Sequence, residues 1–173
     1  MKVAVVEYNK EWPKLFDQER NLLLTELGKT AVCIEHIGST SVPGLAARPV
    51  IDIMAGLRDF AEADSLVPKV TDLGYTYIRE YEDVIPNRRF FRKTQNGKDT
   101  HHIHMVEIGS EFWERHLLFR DYLKENPETA TEYALLKKKL ARHQWKDTND
   151  YAEAKTQFIK GIEEQARERK KPR

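Results

Sequence analysis

The chain has 173 residues, the length of one domain, and a chain of that length buries about 70 % of its unfolded surface without staples. Its 29 Lys and Arg against 28 Asp and Glu leave a formal net charge of +1, which argues against nucleic-acid binding through bulk charge and against an acidic disordered chain. The one cysteine, Cys33, excludes an intramolecular disulfide framework and a multi-cysteine zinc site; it reads as a small buried hydrophobe.

In chain order, Asn9 can cap a first helix running to about Leu27, with Pro13 in its first turn and Gly28 at its end. Trp12, Leu15, Phe16, Leu22, Leu23 and Leu27 supply its apolar stripe. Ala31–Ile37 reads as a buried strand, Gly38–Pro49 as a loop, and Pro49–Ala55 as a second strand. Asp59 can cap a helix to about Asp72, stopped by Gly74, with Tyr75–Ile78 short and extended. Arg88–Thr94 and Thr100–Val106 flank Asn96-Gly97, the pair that a type I′ hairpin turn demands. After Gly109 come three amphipathic helical runs: one capped by Ser110, a second after Asn126-Pro127, a third from about Asn149. Arg167–Arg173 forms a basic C-terminal tail. The pattern predicts one α+β domain over 1–173, with a core of about 1–109 and a helical cap of about 110–165. No apolar run reaches the ~18 residues of a membrane span. The start Met-Lys-Val-Ala-Val-Val-Glu turns polar too early for a signal peptide, so a cytoplasmic protein without a membrane partner is expected.

Three segments carry candidate chemistry. Gly38-Ser39-Thr40-Ser41 follows a strand, where a Gly-Ser pair lets a phosphate approach the backbone and a hydroxyl supplies a donor. The same segment also reads as a tight turn with hydroxyl-rich local hydrogen bonds. It lacks the Gly-Lys-Ser/Thr of a P-loop and the Gly-x-Ser-x-Gly of a nucleophile elbow. Asp52 lies inside an apolar run, so its carboxylate needs a cation, a metal or several donors; a structural pairing with Arg48 is the plain alternative. On a strand, His102 and His104 point to one face and His101 to the other, which lets two imidazoles share a metal or a phosphate. Period 2 likewise puts Arg88, Phe90 and Arg92 on one face of the preceding strand and Arg89, Phe91 and Lys93 on the other. Their guanidinium forks suit phosphate oxygens, or they protect a hairpin edge. Arg120, Tyr133 and Lys137 lie on helices able to close over a site, with Tyr133 and Lys137 neighbours at i, i+4.

These segments together resemble the GrpB family of small bacterial proteins, a branch of the nucleotidyltransferase superfamily. The match runs from Trp12 to about Phe158 and includes His36-Ile37-Gly38-Ser39-Thr40-Ser41-Val42-Pro43-Gly44-Leu45, Arg48-Pro49-Val50-Ile51-Asp52-Ile53, Thr100-His101-His102-Ile103-His104, Phe119-Arg120-Asp121-Tyr122-Leu123 and Tyr133-Ala134-Leu135-Leu136-Lys137. The resemblance implies a nucleotidyltransferase-like short mixed β-sheet flanked by helices. A small phosphorylated ligand or nucleotide is expected, held by Gly38, Ser39, Thr40, Ser41, Arg48, Arg89, Arg92, Tyr133 and Lys137. A divalent metal, magnesium, manganese or zinc, is expected on Asp52, His102 and His104, with Asp52 and His104 as the catalytic pair; of these only Asp52 matches the superfamily pattern. The superfamily's second acid is absent, since Met54 stands at its position. One carboxylate plus imidazoles suits zinc or manganese better than magnesium. Nucleotidyl transfer to a small molecule is therefore expected beside two alternatives: a non-catalytic nucleotide-binding domain and a metal-dependent hydrolase.

Overall fold

A computed structural model describes residues 4–170. Lys171, Pro172 and Arg173, the end of the expected basic tail, lie outside the described residues. Five strands form one mixed sheet: β1 (Ala31–Ile37), β2 (Ile51–Leu57), β3 (Thr76–Tyr77), β4 (Arg89–Gln95) and β5 (Lys98–Glu107), in the order β1-β2-β5-β4-β3. β2 and β5 run parallel, and every other pair is antiparallel. The β4–β5 turn follows from Asn96 at φ 53° and Gly97 at φ 76°, the two positive angles a type I′ turn requires.

The sheet has two differently dressed faces. Register places Ile37 opposite Asp52, Glu35 opposite Met54, His102 beside Asp52 and His104 beside Met54. Phe90 lies opposite His104 and Arg92 opposite His102. All of these side chains therefore share one face. The other face carries Ile34, Ile53, Ala55, Phe91, Ile103 and Met105, which pack with α1 (Trp12–Leu27) and α2 (Ala63–Thr71) into the main core. The α1 stripe is narrower than its sequence pattern: Trp12, Phe16, Leu23 and Leu27 are buried, whereas Leu15 and Leu22 face solvent. The first helix begins after Asn9, whose Oδ1 accepts from Glu11 N at 2.9 Å.

The Asp52 face is covered by α3 (Glu111–Glu125), with α4 (Pro127–Ala141) and α5 (Thr148–Lys170) packed beside it. Ser110 caps α3 through Trp113 N. Trp113 reaches the sheet because position 56 is glycine: a Cβ there would meet the indole at 2.6 Å. Met54, fully buried, packs with Ile37, Val106 and Trp113. A carboxylate in that dry place would be costly without a partner, so Met54 suits this position better than the expected second acid. The cap has its own small core of Val42, Leu45, Leu123, Ala130, Tyr133 and Ile162. Cys33 is half-buried rather than buried, and its Sγ donates to Glu35 Oε1 at 3.3 Å. Among the described residues no helix is long and apolar enough to cross a membrane.

Candidate functional site

The turn after β1 is built around one glycine. Gly38 has φ +73°, and a Cβ there would lie 2.7 Å from Asp52 Oδ2. Only glycine lets this backbone sit on the carboxylate. Ser39–Ser41 then form a single 3₁₀ turn. Thr40 and Ser41 are drawn inward. Thr40 Oγ1 donates to the Val50 carbonyl at 3.2 Å and meets His36 Nε2 at 2.9 Å, and the Ser41 hydroxyl donates to the Gly38 carbonyl. Since the single Thr40 hydroxyl proton is committed to Val50, His36 Nε2 is the donor of the other bond. Burial pulls the His36 pKa down to about 4, so this ring is neutral. Both hydroxyls thus serve the turn, and neither is free for a ligand.

A cavity of about 80 Å³ opens between this turn, the sheet and α5. Ser39, Thr40, Arg48, Val50, Asp52, His102, Lys137, Tyr151 and Lys155 line it. Several waters or one tetrahedral anion fit that space. The Lys137 side chain is buried; its ammonium donates to the Ala46 carbonyl and lies 4.6 Å over the Tyr133 ring. Burial, reinforced by Lys155, lowers its pKa to about 7. Lys155 lies 4.6 Å over the Tyr151 ring, and burial with Arg48 nearby lowers its pKa to about 8. Tyr151 is fully buried, and its hydroxyl has no hydrogen-bond partner. The Tyr133 hydroxyl bonds Ser39, and burial raises its pKa.

Asp52 lies at the cavity edge between two imidazoles. His102 Nδ1 is 3.5 Å and His104 Nε2 3.4 Å from Asp52 Oδ1. Burial pushes the carboxyl up, but hydrogen bonds and charge from His102 and His104 outweigh it and hold Asp52 well below the ordinary range. His102 also reaches Asp99 Oδ2 through Nε2 at 2.8 Å. Burial opposes its charge, yet its two carboxylates raise its pKa. Burial lowers that of His104, with Arg88 adding to the effect and Asp52 opposing it.

The profile of the GrpB protein family matches residues 2–165. The chain belongs to the GrpB family. It is 42 % identical over 172 residues to UPF0157 protein YqkA of Bacillus subtilis, covering 99 % of this chain and 49 % of that one; the chain thus spans about half the length of this relative. It is 34 % identical to glutamate-rich protein GrpB of Alkalihalophilus pseudofirmus, covering 92 % and 93 %. The crystal structure of GrpB from Enterococcus faecalis superposes with a TM-score of 0.84 at 39 % identity, over 94 % of this chain and 96 % of that one. The Cid1 poly(U) polymerase superposes with a TM-score of 0.52 at 13 % identity, over 81 % and 43 %. That likeness shows a nucleotidyltransferase-like fold and no more.

The structure brings Gly38, Ser39, Arg48, Asp52, His102 and Lys137 of this GrpB chain to one place, with His104 on the far side of Asp52. It does not bring Arg89 there. Arg89 lies on the opposite face, 2.8 Å from Asp64 Oδ1 and 3.3 Å from Glu82 Oε1. Arg92 shares the Asp52 face but stands exposed on β4, outside the cavity. Arg120 is held by Glu35 at 2.6 Å and by the His36 carbonyl at 3.1 Å, so it ties α3 to β1. Sequence reasoning missed Tyr151, Lys155 and His116, and it offered Arg88 to phosphate where the structure sets it against His104. His116 stacks on Phe112 at 3.9 Å and donates from Nδ1 to the Phe112 carbonyl at 2.8 Å. Its i, i+4 spacing from Phe112 was the available signal.

The donor set does not fit the expected divalent metal. Among the described residues no three His, Cys, Asp or Glu side chains converge to hold one. Asp52 accepts from two imidazoles, and the other cavity charges are the cations Arg48, Lys137 and Lys155. A hard cation wants several free oxygen ligands, and this cavity offers it one engaged carboxylate.

Proposed function

We propose that the protein binds a small phosphorylated ligand or nucleotide, with a phosphate group in the cavity between the Ser39 turn and α5. The observation that carries this reading is the convergence of Arg48, Lys137, Lys155 and the partnerless Tyr151 hydroxyl on one small space. A buried hydroxyl without a partner, and like charges gathered where water is scarce, are costly. An anion that accepts from all of them removes that cost, and the Arg48 fork suits its oxygens. The Gly38–Ser39 turn lets such a group approach the backbone. The ligand's remaining bulk then lies outside a cavity of this size.

Nucleotidyl transfer is the second reading, favoured by the nucleotidyltransferase-like fold and by Asp52 at the cavity edge. Buried Met54 and the hydrogen-bonded state of Asp52 favour binding without transfer. Calorimetric titration with inorganic pyrophosphate, ATP, GTP, CTP and UTP tests the reading on wild type and Lys155→Met. At least one of these should bind wild type, and Lys155→Met should weaken it by about tenfold or more at undiminished thermal stability. Silence with all five, or equal affinity in the two proteins, would sink the proposal. Label transferred from a bound nucleotide to a small acceptor in cell extract would promote the second reading.

A further inference from the structure

His104 is gripped by two partners of opposite hydrogen-bonding character. Arg88 Nη1 lies 3.4 Å from its Nδ1, and Asp52 Oδ1 lies 3.4 Å from its Nε2. A guanidinium has donors only, so Nδ1 must accept and Nε2 must carry the proton. The carboxylate of Asp52 accepts from that Nε2–H, so both partners select the same tautomer. Arg88 is itself fixed. Its guanidinium lies 5.1 Å over the Phe90 ring and 5.7 Å over the Phe112 ring. Its Nε is buried without an acceptor. A guanidinium so placed, over rings and against an imidazole nitrogen rather than a carboxylate, is a poor device for stability, which points to a task at His104.

We infer that Arg88 is a positioning residue that locks His104 in the Nε2–H tautomer, so that imidazole donors and not a divalent cation hold the Asp52 carboxylate. A histidine that ligates a metal through Nε2 keeps its proton on Nδ1 and gives it to an acceptor. In this chain that proton would point at the N–H of Arg88. Metal binding by His104 therefore requires Arg88 to leave. On the other side, His102 bridges Asp52 and Asp99 at 3.5 and 2.8 Å. The positive charge a metal brings to a phosphate elsewhere comes here from Arg48, Lys137 and Lys155. The lock holds whichever anion fills the cavity, so it stands apart from the ligand proposed above.

The test is long-range proton–nitrogen NMR on the full chain with ¹⁵N-labelled histidine, the His104 signals assigned by their loss in His104→Gln. Wild type should show a protonated Nε2 and a bare Nδ1, unchanged by one equivalent of Zn²⁺ or Mg²⁺. Arg88→Met keeps a stem over the rings but removes the donors. Asp52 still accepts from Nε2–H in this variant, so without metal the tautomer persists, but Zn²⁺ should bind about tenfold or more tightly than to wild type and move the His104 proton to Nδ1, while Arg88→Lys, which retains a donor, restores the wild-type response to zinc. A merely structural Arg88 would leave zinc affinity and the zinc-bound His104 signals unmoved in a folded Arg88→Met. A wild-type His104 protonated on Nδ1, or one whose Nε2 shifts with one equivalent of Zn²⁺, overturns the inference, as does an unchanged zinc affinity in a folded Arg88→Met. If Arg88→Met does not fold, the wild-type tautomer and its response to zinc decide alone.

Discussion

On the α1 side of the sheet, Glu19 accepts from Tyr75 at 2.6 Å and from Lys93 at 2.7 Å. On the α3–α5 side, the Tyr151 hydroxyl has no hydrogen-bond partner, and Lys137 finds a backbone carbonyl and the Tyr133 ring rather than a carboxylate. The residue types are the same, a buried carboxylate, lysine and tyrosine, but the first set closes on itself and the second stays open. The charges behave accordingly. Burial raises the Glu19 carboxyl, but Lys93 and Tyr75 overcome it and the net shift is downward. Burial lowers Lys137, and Lys155 reinforces the effect rather than opposing it. A closed network ties α1 to the hairpin, whereas open polar groups in a cavity mark where a ligand completes the hydrogen bonding.

The contrast breaks most visibly at Glu19. Glu19→Ala leaves Lys93 and Tyr75 without their acceptor and should lower stability by about 3 kcal/mol in urea unfolding, with pyrophosphate affinity unchanged. A lost affinity would mean that the two faces are coupled. Lys137→Met should do the reverse. Pyrophosphate binding weakens by about 2 kcal/mol, while the free protein is no less stable, because a buried ammonium without a carboxylate partner has gone. A destabilised Lys137→Met would make Lys137 a structural tie to Ala46.

The lysines also set a pH dependence. Their pKa values in the fold, about 7 and about 8, lie below the ordinary 10.5. The unfolded chain therefore binds more protons than the fold between those limits, and stability rises with pH there. The penalty is full below about pH 7 and gone above about pH 10.5. Thermal melts of the free protein across this range should show the rise, and Lys137→Met should flatten its lower part. The smallest effect belongs to Tyr151→Phe. It removes an unsatisfied hydroxyl, so the free protein should gain up to about 1 kcal/mol, while anion affinity falls a few-fold by calorimetry.

Much of the frame was legible in the sequence because it is local. Asn96-Gly97 dictates its turn, Ser110 its cap, and period 2 correctly separates His102 and His104 from His101. Gly38 and Asp52 could be paired by spacing, since one strand turn joins them. The residues around the proposed anion cavity were less legible. Thr40 and Ser41 have hydroxyls of the right kind, but the short 3₁₀ turn directs them to Val50 and Gly38. Arg89 finds Asp64 and Glu82 from elements whose approach no local pattern reveals. Lys155 and Tyr151 arrive on α5, about a hundred residues after Asp52, inside a run whose charges look like ordinary helix surface. Only their place on the cavity beside the Ser39 turn distinguishes them from the solvated residues of the same helix.

The central claim is that the open cations of this cavity await an anion. The most direct measurement is proton uptake on anion binding, read by calorimetric titration of sulfate in buffers of different ionisation enthalpy between about pH 7 and pH 8. Sulfate has no proton of its own to exchange in that range. An anion beside Lys137 and Lys155 raises their lowered pKa values, so binding should draw protons from the buffer, and Lys137→Met should draw fewer. Sulfate that binds without proton uptake, or does not bind at all, would contradict the account.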